Sequence, residues 1–278
     1  MRNNVRAAPV IKWAGGKRQL RDEILKRVPD NFSTYYEPFI GGGAVLFALC
    51  PKKAVINDVN SELINIYQVI RDDVDALVSD LKKHENSSEY FYNLREKDRD
   101  TESFHRLSPV EKASRIIYLN KTCYNGLFRV NRAGEFNAPY GFYKNPNIVN
   151  EPVLRAVSQY FNSAEIRFSC MDFEESLKSI EKDCFVYLDP PYDPVSTTAN
   201  FTGYDKGGFN KGEQIRLKNV CDRLNKMGIR FLLSNSATDF ITQLYIDYKI
   251  DIVQAKRAIN SNPDKRGEID EVLIRNYE

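Results

Sequence analysis

Histidine is nearly missing from this chain of 278 residues: His84 and His105 are the only two. Neither stands near a partner of metal-ligand spacing, so zinc chemistry and a histidine-based nucleophile triad are not expected. Cysteine is sparse as well. Cys50, Cys123, Cys170, Cys184 and Cys221 are scattered, odd in number and without C-x-x-C spacing. That is the pattern of reduced, mostly buried thiols rather than of a disulfide framework. No run of about 18 apolar residues occurs, so no helix is expected to span a bilayer. The opening Met1-Arg2-Asn3-Asn4-Val5-Arg6 has no apolar stretch behind it of the kind a secretory leader needs. Repeats and low-complexity tracts are missing too. These absences lead to the expectation of a cytoplasmic protein without a membrane anchor or a bound metal.

What is present is a large apolar fraction, 42%, enough to bury the core of one large domain or of two lobes. The formal net charge is only +2, yet the charge is unevenly spread. Between Lys112 and Pro146 the cations Lys112, Arg115, Lys121, Arg129, Arg132 and Lys144 face Glu135 alone. Between Ala255 and Gly267, Lys256, Arg257, Lys265 and Arg266 face Asp264 alone. Charge runs are usually solvated faces, but two basic segments interleaved with Tyr, Asn and Phe also suit a phosphate backbone.

Hydrophobic periodicity predicts alternating elements. A helix is expected over Arg18–Arg27, a strand over Thr34–Phe39, a short helix over Ala44–Leu49 and a strand over Ala54–Asp58. Helical pattern then runs from Ser61 through Lys82 and again from Pro109 to Lys121, with a polar loop at Asn86–Ser103 between. Asn125–Asn147 reads as loops and a hairpin. Strands return near Glu165–Phe168, Phe185–Leu188, Ile229–Leu233, Lys249–Val253 and Glu271–Arg275, the last two forming an antiparallel pair. The pattern is an α/β sheet domain interrupted by a mainly helical insertion from about 60 to 147.

Four short stretches carry the chemistry. Asp189-Pro190-Pro191-Tyr192 follows the apolar strand Cys184–Leu188. Two prolines cannot continue a ladder, so the backbone must turn outward there. The turn gathers a carboxylate, a proline carbonyl and a phenol ring, a set suited to a flat heterocycle with an exocyclic amine. It also suits a plain strand-ending turn. Glu37-Pro38-Phe39-Ile40-Gly41-Gly42-Gly43 follows a strand and opens a helix, and glycines there let a cofactor approach the backbone. Asp58, at the end of the next strand, is placed to bind both hydroxyls of a ribose. That spacing is shared with dinucleotide sites, but the loop is not G-x-G-x-x-G and Glu37 would repel a pyrophosphate. An acid there suits the amino and sulfonium groups of S-adenosylmethionine. In Lys12-Trp13-Ala14-Gly15-Gly16-Lys17, Lys17 is placed to hold that molecule's carboxylate and Trp13 to line the pocket, or the pair is a core anchor and a solvated charge. Asp172 either caps a helix over Glu174–Ile180 or accepts from the cofactor's adenine amine, with Phe173 packing on the ring.

Taken in order, these stretches resemble the Dam and DpnII-type DNA adenine-N6 methyltransferases of the α arrangement. The resemblance extends from Lys12 to Tyr277 and includes Tyr124-Asn125-Gly126-Leu127-x-Arg129-x-Asn131, Gly134-Glu135-Phe136-Asn137-x-Pro139-Tyr140-Gly141, Thr198-Ala199-x-Phe201-Thr202-x-Tyr204 and Leu233-Ser234-Asn235. It implies a Rossmann-like methyltransferase sheet, with residues 1–59 and 148–278 binding cofactor and carrying out transfer and residues 60–147 recognising the target. It implies double-stranded DNA as partner, GATC as target, S-adenosylmethionine as donor, no metal and no obligatory protein partner. Asp189, Pro190 and Tyr192 would be catalytic. Trp13, Lys17, Glu37, Phe39, Gly41, Asp58, Asp172, Phe173 and Asp189 would bind the cofactor. Tyr124, Asn125, Leu127 and Arg129 would meet DNA, with Asn137, Pro139, Tyr143 and Lys144. Two positions depart from the family: Phe142 stands where Arg is common, and Met171 where Gly is common. N4-cytosine methylation, ribosomal RNA adenine methylation and a decayed, binding-only protein are the alternatives.

Overall fold

The computed structural model describes residues 5–13, 15, 17, 19–195, 208–256 and 268–278. The expected motif at Thr198–Tyr204 and the basic segment at 257–267 lie outside the described residues. In chain order the elements are α1 (Arg21–Leu25), β1 (Tyr35–Glu37), α2 (Ala44–Leu49), β2 (Lys53–Asn57), α3 (Ser61–Asp72), α4 (Val74–Leu81), α5 (Ser88–Glu96) and α6 (Thr101–Arg106). They continue with α7 (Pro109–Thr122), α8 (Glu151–Ser163), β3 (Glu165–Ser169), α9 (Phe173–Ser176), β4 (Phe185–Leu188), α10 (Lys211–Lys226), β5 (Arg230–Ser236), α11 (Asp239–Leu244), β6 (Lys249–Lys256) and β7 (Glu268–Arg275). No helix among the described residues is long and apolar enough to cross a membrane. The chain forms two compact units: Met1–Gly16, Gly41–Lys52 and Asp58–Cys170 make one, and Lys17–Ile40, Lys53–Asn57 and Met171–Glu278 the other.

The second unit is built on a sheet. Its strands lie in the order β2-β1-β4-β5-β7-β6, parallel except for β7, which runs antiparallel to both β5 and β6. β1 and β4 are buried along their whole length, as befits parallel strands covered on both faces. Val186, Leu188, Phe231 and Leu233 pack with Leu217, Val220 and Leu224 of α10 and with Phe173 and Leu177. The chain passes from β1 to β2 on one side and later returns to β4 on the other. Order therefore reverses between β1 and β4, and their carboxyl ends are where an α/β sheet presents a ligand site.

The first unit is mainly helical. α7 is its central rod: Ser108 and Glu111 form a reciprocal capping box, Pro109 opens the first turn, and Ala113, Ile116, Ile117 and Leu119 are buried. The expected single helix from Ser61 to Lys82 is two, broken at Asp73, whose φ of −148° is not helical. Asp72 and Asp73 together explain the break, since carboxylates are unfavourable at a helix C-terminus. The expected loop at 86–103 is corrected as well: α5 and α6 occupy most of it, capped by Ser87 and Asp100, which accept from Tyr90 N and Ser103 N. Only Phe91 and Leu94 of α5 are buried and none of α6, so hydrophobic periodicity there is faint. Arg115, counted above among the basic surface residues, is 1% exposed. Its Nη2 lies 2.7 Å from Asp98 Oδ2, and its Nε donates to the Leu94 carbonyl at 2.9 Å.

Candidate active site

The ladder between β4 and β5 ends at Leu188 opposite Leu233, and Pro190 and Pro191 bring no N–H with which to extend it. Asp189 is thereby set at the carboxyl end of β4. Its Oδ1 lies 2.7 Å from Lys17 Nζ; the lysine is 6% exposed and the carboxylate 20%, so the cation is withdrawn from water while the acid keeps an open side. The same oxygen accepts from Ser234 Oγ at 3.0 Å, and Ser234 stands 3.1 Å from the Tyr187 hydroxyl. Burial raises the Asp189 carboxyl above the ordinary range, while Lys17 and Ser234 hold it down. Lys17 Nζ also sits 4.3 Å from the centroid of the Tyr192 ring. The Tyr192 hydroxyl donates to Glu271 Oε2 at 2.8 Å. Burial and the nearby Asp189 and Glu271 carboxylates push its phenol far up, so it stays neutral.

At the end of β1, Glu37 is 2% exposed and accepts from the Tyr35 hydroxyl at 2.8 Å. Phe39 is half-buried, its ring centroid 5.2 Å from Phe173 and 5.8 Å from Phe209. Asp172 does cap a helix, though a shorter one than expected, with Oδ1 accepting from Glu174 N at 2.9 Å. Its other oxygen pairs with Arg216, whose guanidinium carbon lies 4.3 Å from the Phe173 ring centroid.

The glycine loop has a packing reason of its own. A Cβ on Gly41, where φ is +47°, would come within 2.8 Å of the Trp13 ring, and one on Gly42 within 3.3 Å of Trp13 Cβ. Trp13 is thus seated against the loop, and it stacks on Phe128 at 4.8 Å between centroids. Asp58 closes the same loop, accepting from Gly41 N at 3.1 Å and Asn60 N at 3.0 Å. Burial lifts its carboxyl to about 6, against the pull of those backbone N–H groups and that of Val59.

The segment after α7 presents the remaining expected residues. Tyr124 is 56% exposed; its N–H donates to the Pro139 carbonyl at 2.8 Å. Asn125, with φ of 57°, donates its N–H to the Tyr143 hydroxyl at 3.1 Å. Arg129 and Asn137 are joined twice, Nε to Oδ1 at 2.7 Å and Nη2 to the carbonyl at 2.8 Å. Leu127 is half-buried, whereas Pro139 and Lys144 are exposed. The expected hairpin appears as isolated antiparallel bridges at Cys123–Tyr140 and Val130–Phe136 rather than as strands.

The structure brings together Lys17, Asp189 and Tyr192, and separately Trp13 with Gly41, Gly41 with Asp58, and Arg129 with Asn137. It adds residues not singled out from sequence. Ser234 lies within a quoted motif, but Glu271, Gln214 and Asn120 had no local signal. Asn120 ties Lys12 to the Tyr124–Gly126 turn: its Oδ1 accepts from Lys12 N at 2.8 Å, and its Nδ2 donates to the carbonyls of Lys12 at 2.8 Å and Gly126 at 3.0 Å.

Residues 13–259 match the D12 class N6 adenine-specific DNA methyltransferases. The type II methyltransferase M1.LlaDCHI of Lactococcus lactis subsp. cremoris is 42% identical, over 99% of this chain and 98% of that protein. The type II methyltransferase M.MjaIII of Methanocaldococcus jannaschii is also 42% identical, over 97% of this chain and 99% of that protein. A DNA adenine methylase of Haemophilus influenzae is 35% identical, over 95% of this chain and 92% of that protein. With likeness at this level along nearly the whole length, and an Asp-Pro-Pro-Tyr turn at the carboxyl end of β4, the chain belongs to the D12 class of N6 adenine-specific DNA methyltransferases.

Proposed function

We propose that this enzyme methylates N6 of adenine within GATC sites of duplex DNA, with S-adenosylmethionine as the methyl donor. The observation that carries the reading is the half-buried Asp189 carboxylate, held by Lys17 and Ser234 at the end of β4. Adenine N6 is a weak nucleophile because its lone pair is delocalised into the ring. Asp189 and the Pro190 carbonyl, accepting its two protons, favour a pyramidal nitrogen whose lone pair is free to attack. Base stacking hides N6 in a duplex, so the adenine leaves the stack and lies against Tyr192. Orientation and electrostatics supply the rate, and the amine sheds its proton after transfer without a dedicated strong base.

The donor, when bound, supplies an electrophilic methyl group on a sulfonium. The acidic residues ending β1 and β2 fit such a cation better than a pyrophosphate: Glu37 for its charged amino acid portion, Asp58 for its ribose hydroxyls. Asp172 and Phe173 are assigned to its adenine, with Trp13, Phe39 and Gly41 as lining. Lys17, engaged by Asp189, is assigned to keep that carboxylate ionised. Residues 60–147 recognise the target through Tyr124, Asn125, Leu127, Arg129, Asn137, Pro139, Tyr143 and Lys144. Residues 1–59 and 148–278 bind the donor and carry out transfer.

Transfer from radiolabelled donor should proceed on a GATC duplex and fall on each single-base variant, on duplexes with cytosine replacing the adenine, and on RNA. Equal labelling of all duplexes would overturn the GATC assignment. Calorimetry tests the donor site: Asp58→Ala should weaken donor binding by about 1.5–3 kcal/mol, the range for a hydrogen bond to a charged group. Because Asp58 titrates near 6 and only its ionised form accepts from both ribose hydroxyls, wild-type affinity should fall as pH drops through that value. Asp58→Asn should be flat there, and a parallel fall in both proteins would remove Asp58 from the ribose.

A further inference from the structure

The Asp-Pro-Pro-Tyr turn is held by side chains. Neither proline can donate, yet the turn must keep an acceptor carbonyl and an aromatic ring in fixed register. On the first turn of α10, Gln214 is 0% exposed, as is Asn235 on β5. Gln214 Nε2 donates to the Pro191 carbonyl at 3.0 Å. Asn235 Nδ2 donates to Gln214 Oε1 at 3.0 Å, and Asn235 Oδ1 accepts from Asp193 N at 3.0 Å and Ser236 N at 2.8 Å.

The direction of this chain is forced. Two backbone N–H groups can only donate, so the Asn235 oxygen must face them and its amino group must face Gln214. The Gln214 oxygen must then accept, leaving its amino group to donate to Pro191. The chain closes on the two peptide groups flanking Tyr192, Pro191–Tyr192 and Tyr192–Asp193. Asp193 is anchored again through Oδ2, which accepts from Thr238 Oγ1 at 2.8 Å.

We propose that Gln214 is a positioning residue for methyl transfer, fixing through Asn235 the peptide groups on either side of Tyr192 and hence the orientation of the neighbouring Pro190 carbonyl toward N6. It touches no reacting atom. The proposal rests on the reading of Asp189 and Pro190 as N6 acceptors. By taking the Pro191 carbonyl, Gln214 sets the twist of the turn one residue beyond the acceptor, and its oxygen keeps Asn235 from rotating away from Asp193.

Single-turnover methylation at saturating DNA and donor tests this. Gln214→Leu, similar in bulk and without polar groups, should lower the rate by about 10², the cost of a misplacement of around 1 Å, with donor affinity by calorimetry unchanged. Gln214→Glu separates positioning from packing. As a carboxylate it accepts from Asn235 but repels the Pro191 carbonyl; once protonated it donates to that carbonyl and restores the chain. Its rate relative to wild type at each pH should therefore rise as pH is lowered from about 8 to about 6.5, a range a buried carboxyl reaches. A wild-type rate for Gln214→Leu, or a ratio for Gln214→Glu flat with pH, would overturn the proposal. Asp189→Ala in the same assay keeps the two ideas apart. If that variant is fast, the acceptor reading has failed, whereas a dead Asp189→Ala beside an unaffected Gln214→Leu dismisses only Gln214.

Discussion

The Asp-Pro-Pro-Tyr turn at 189–193 and the segment at 124–144 are both irregular backbone, and both are pinned by side-chain amides. They differ in where their charge lies. In the turn, half-buried Asp189 is paired with buried Lys17, and Gln214 and Asn235 are fully buried. In the segment at 124–144 the amides hold the frame and, through Asn137, the Arg129 guanidinium. Asn86 accepts from Tyr140 and donates to the Tyr143 carbonyl, each at 2.8 Å, while Tyr124, Arg129 and Lys144 remain exposed. A turn held by buried partners suits the proposed acceptors, keeping them in one reaction geometry and strengthening each electrostatic contact. A fixed frame with exposed donors is instead suited to reading an external surface whose affinity depends on salt. Changes in the first region should act on rate, and changes in the second on sequence preference and ionic-strength dependence.

The largest effect expected is from Asp189→Ala, which should lower single-turnover transfer by about 10²–10³, as for removal of one preorganised transition-state partner. DNA affinity should stay in place. A near-wild-type rate would break the comparison, since the paired charge would then serve the fold alone.

Lys17→Met sharpens the same half. Asp189 is raised by burial and lowered by Lys17. A carboxyl raised in this way protonates, and stops accepting its amine proton, at a higher pH than an ordinary one. Rate should therefore be lost as pH falls, and removing the ammonium should move that acid limb upward by about 1–3 units, the usual influence of an adjacent opposite charge. An unmoved limb in the pH–rate profile would mean that Lys17 does not govern the charge on Asp189.

Much of the sheet was legible in the sequence because buried parallel strands are short apolar runs with sharp ends. β4 occupies the expected Phe185–Leu188 and α2 the expected Ala44–Leu49. α5 and α6 were not read, since their polar surfaces dominate and their caps, Ser87 and Asp100, sit within an already polar stretch. At the site, local motifs revealed residues whose backbone is unusual, such as the proline turn and the glycine loop. Partnerships across long separations left no such trace. Lys17 and Asp189 are 172 positions apart by their numbering, and nothing around Gln214 distinguishes it from another polar residue on a helix.

In the segment at 124–144, Arg129→Ala separates base reading from backbone contact. Its Nε and Nη2 are engaged by Asn137, which orients the guanidinium plane. A guanine contact through O6 and N7 discriminates by about 1–3 kcal/mol. As a base reader, its loss should flatten the kcat/KM preference for GATC over sites with the guanine replaced. A uniform loss across all sequences would make it a phosphate contact instead.

The smallest effect, and the finest test of the comparison, concerns Phe142. It is 76% exposed, has φ of +52° and meets Tyr140 edge-on at 4.9 Å between centroids. The family resemblance leads to the expectation of Arg here. An apolar ring can neither pair with a phosphate nor release a counterion, so this position adds nothing to the salt dependence of DNA binding. Phe142→Arg should introduce one phosphate contact. The slope of log affinity against log salt should steepen by about 0.9, binding should tighten most at low ionic strength, and preference among GATC variants should not change. Transfer at saturating DNA should also be unaltered, because no group of the acceptor turn is touched. Titrations of one GATC duplex and one non-cognate duplex at several salt concentrations decide it. An unchanged slope would place residue 142 away from the DNA backbone, while a steeper slope shared by both duplexes would show that the enzyme gains affinity there without gaining sequence information.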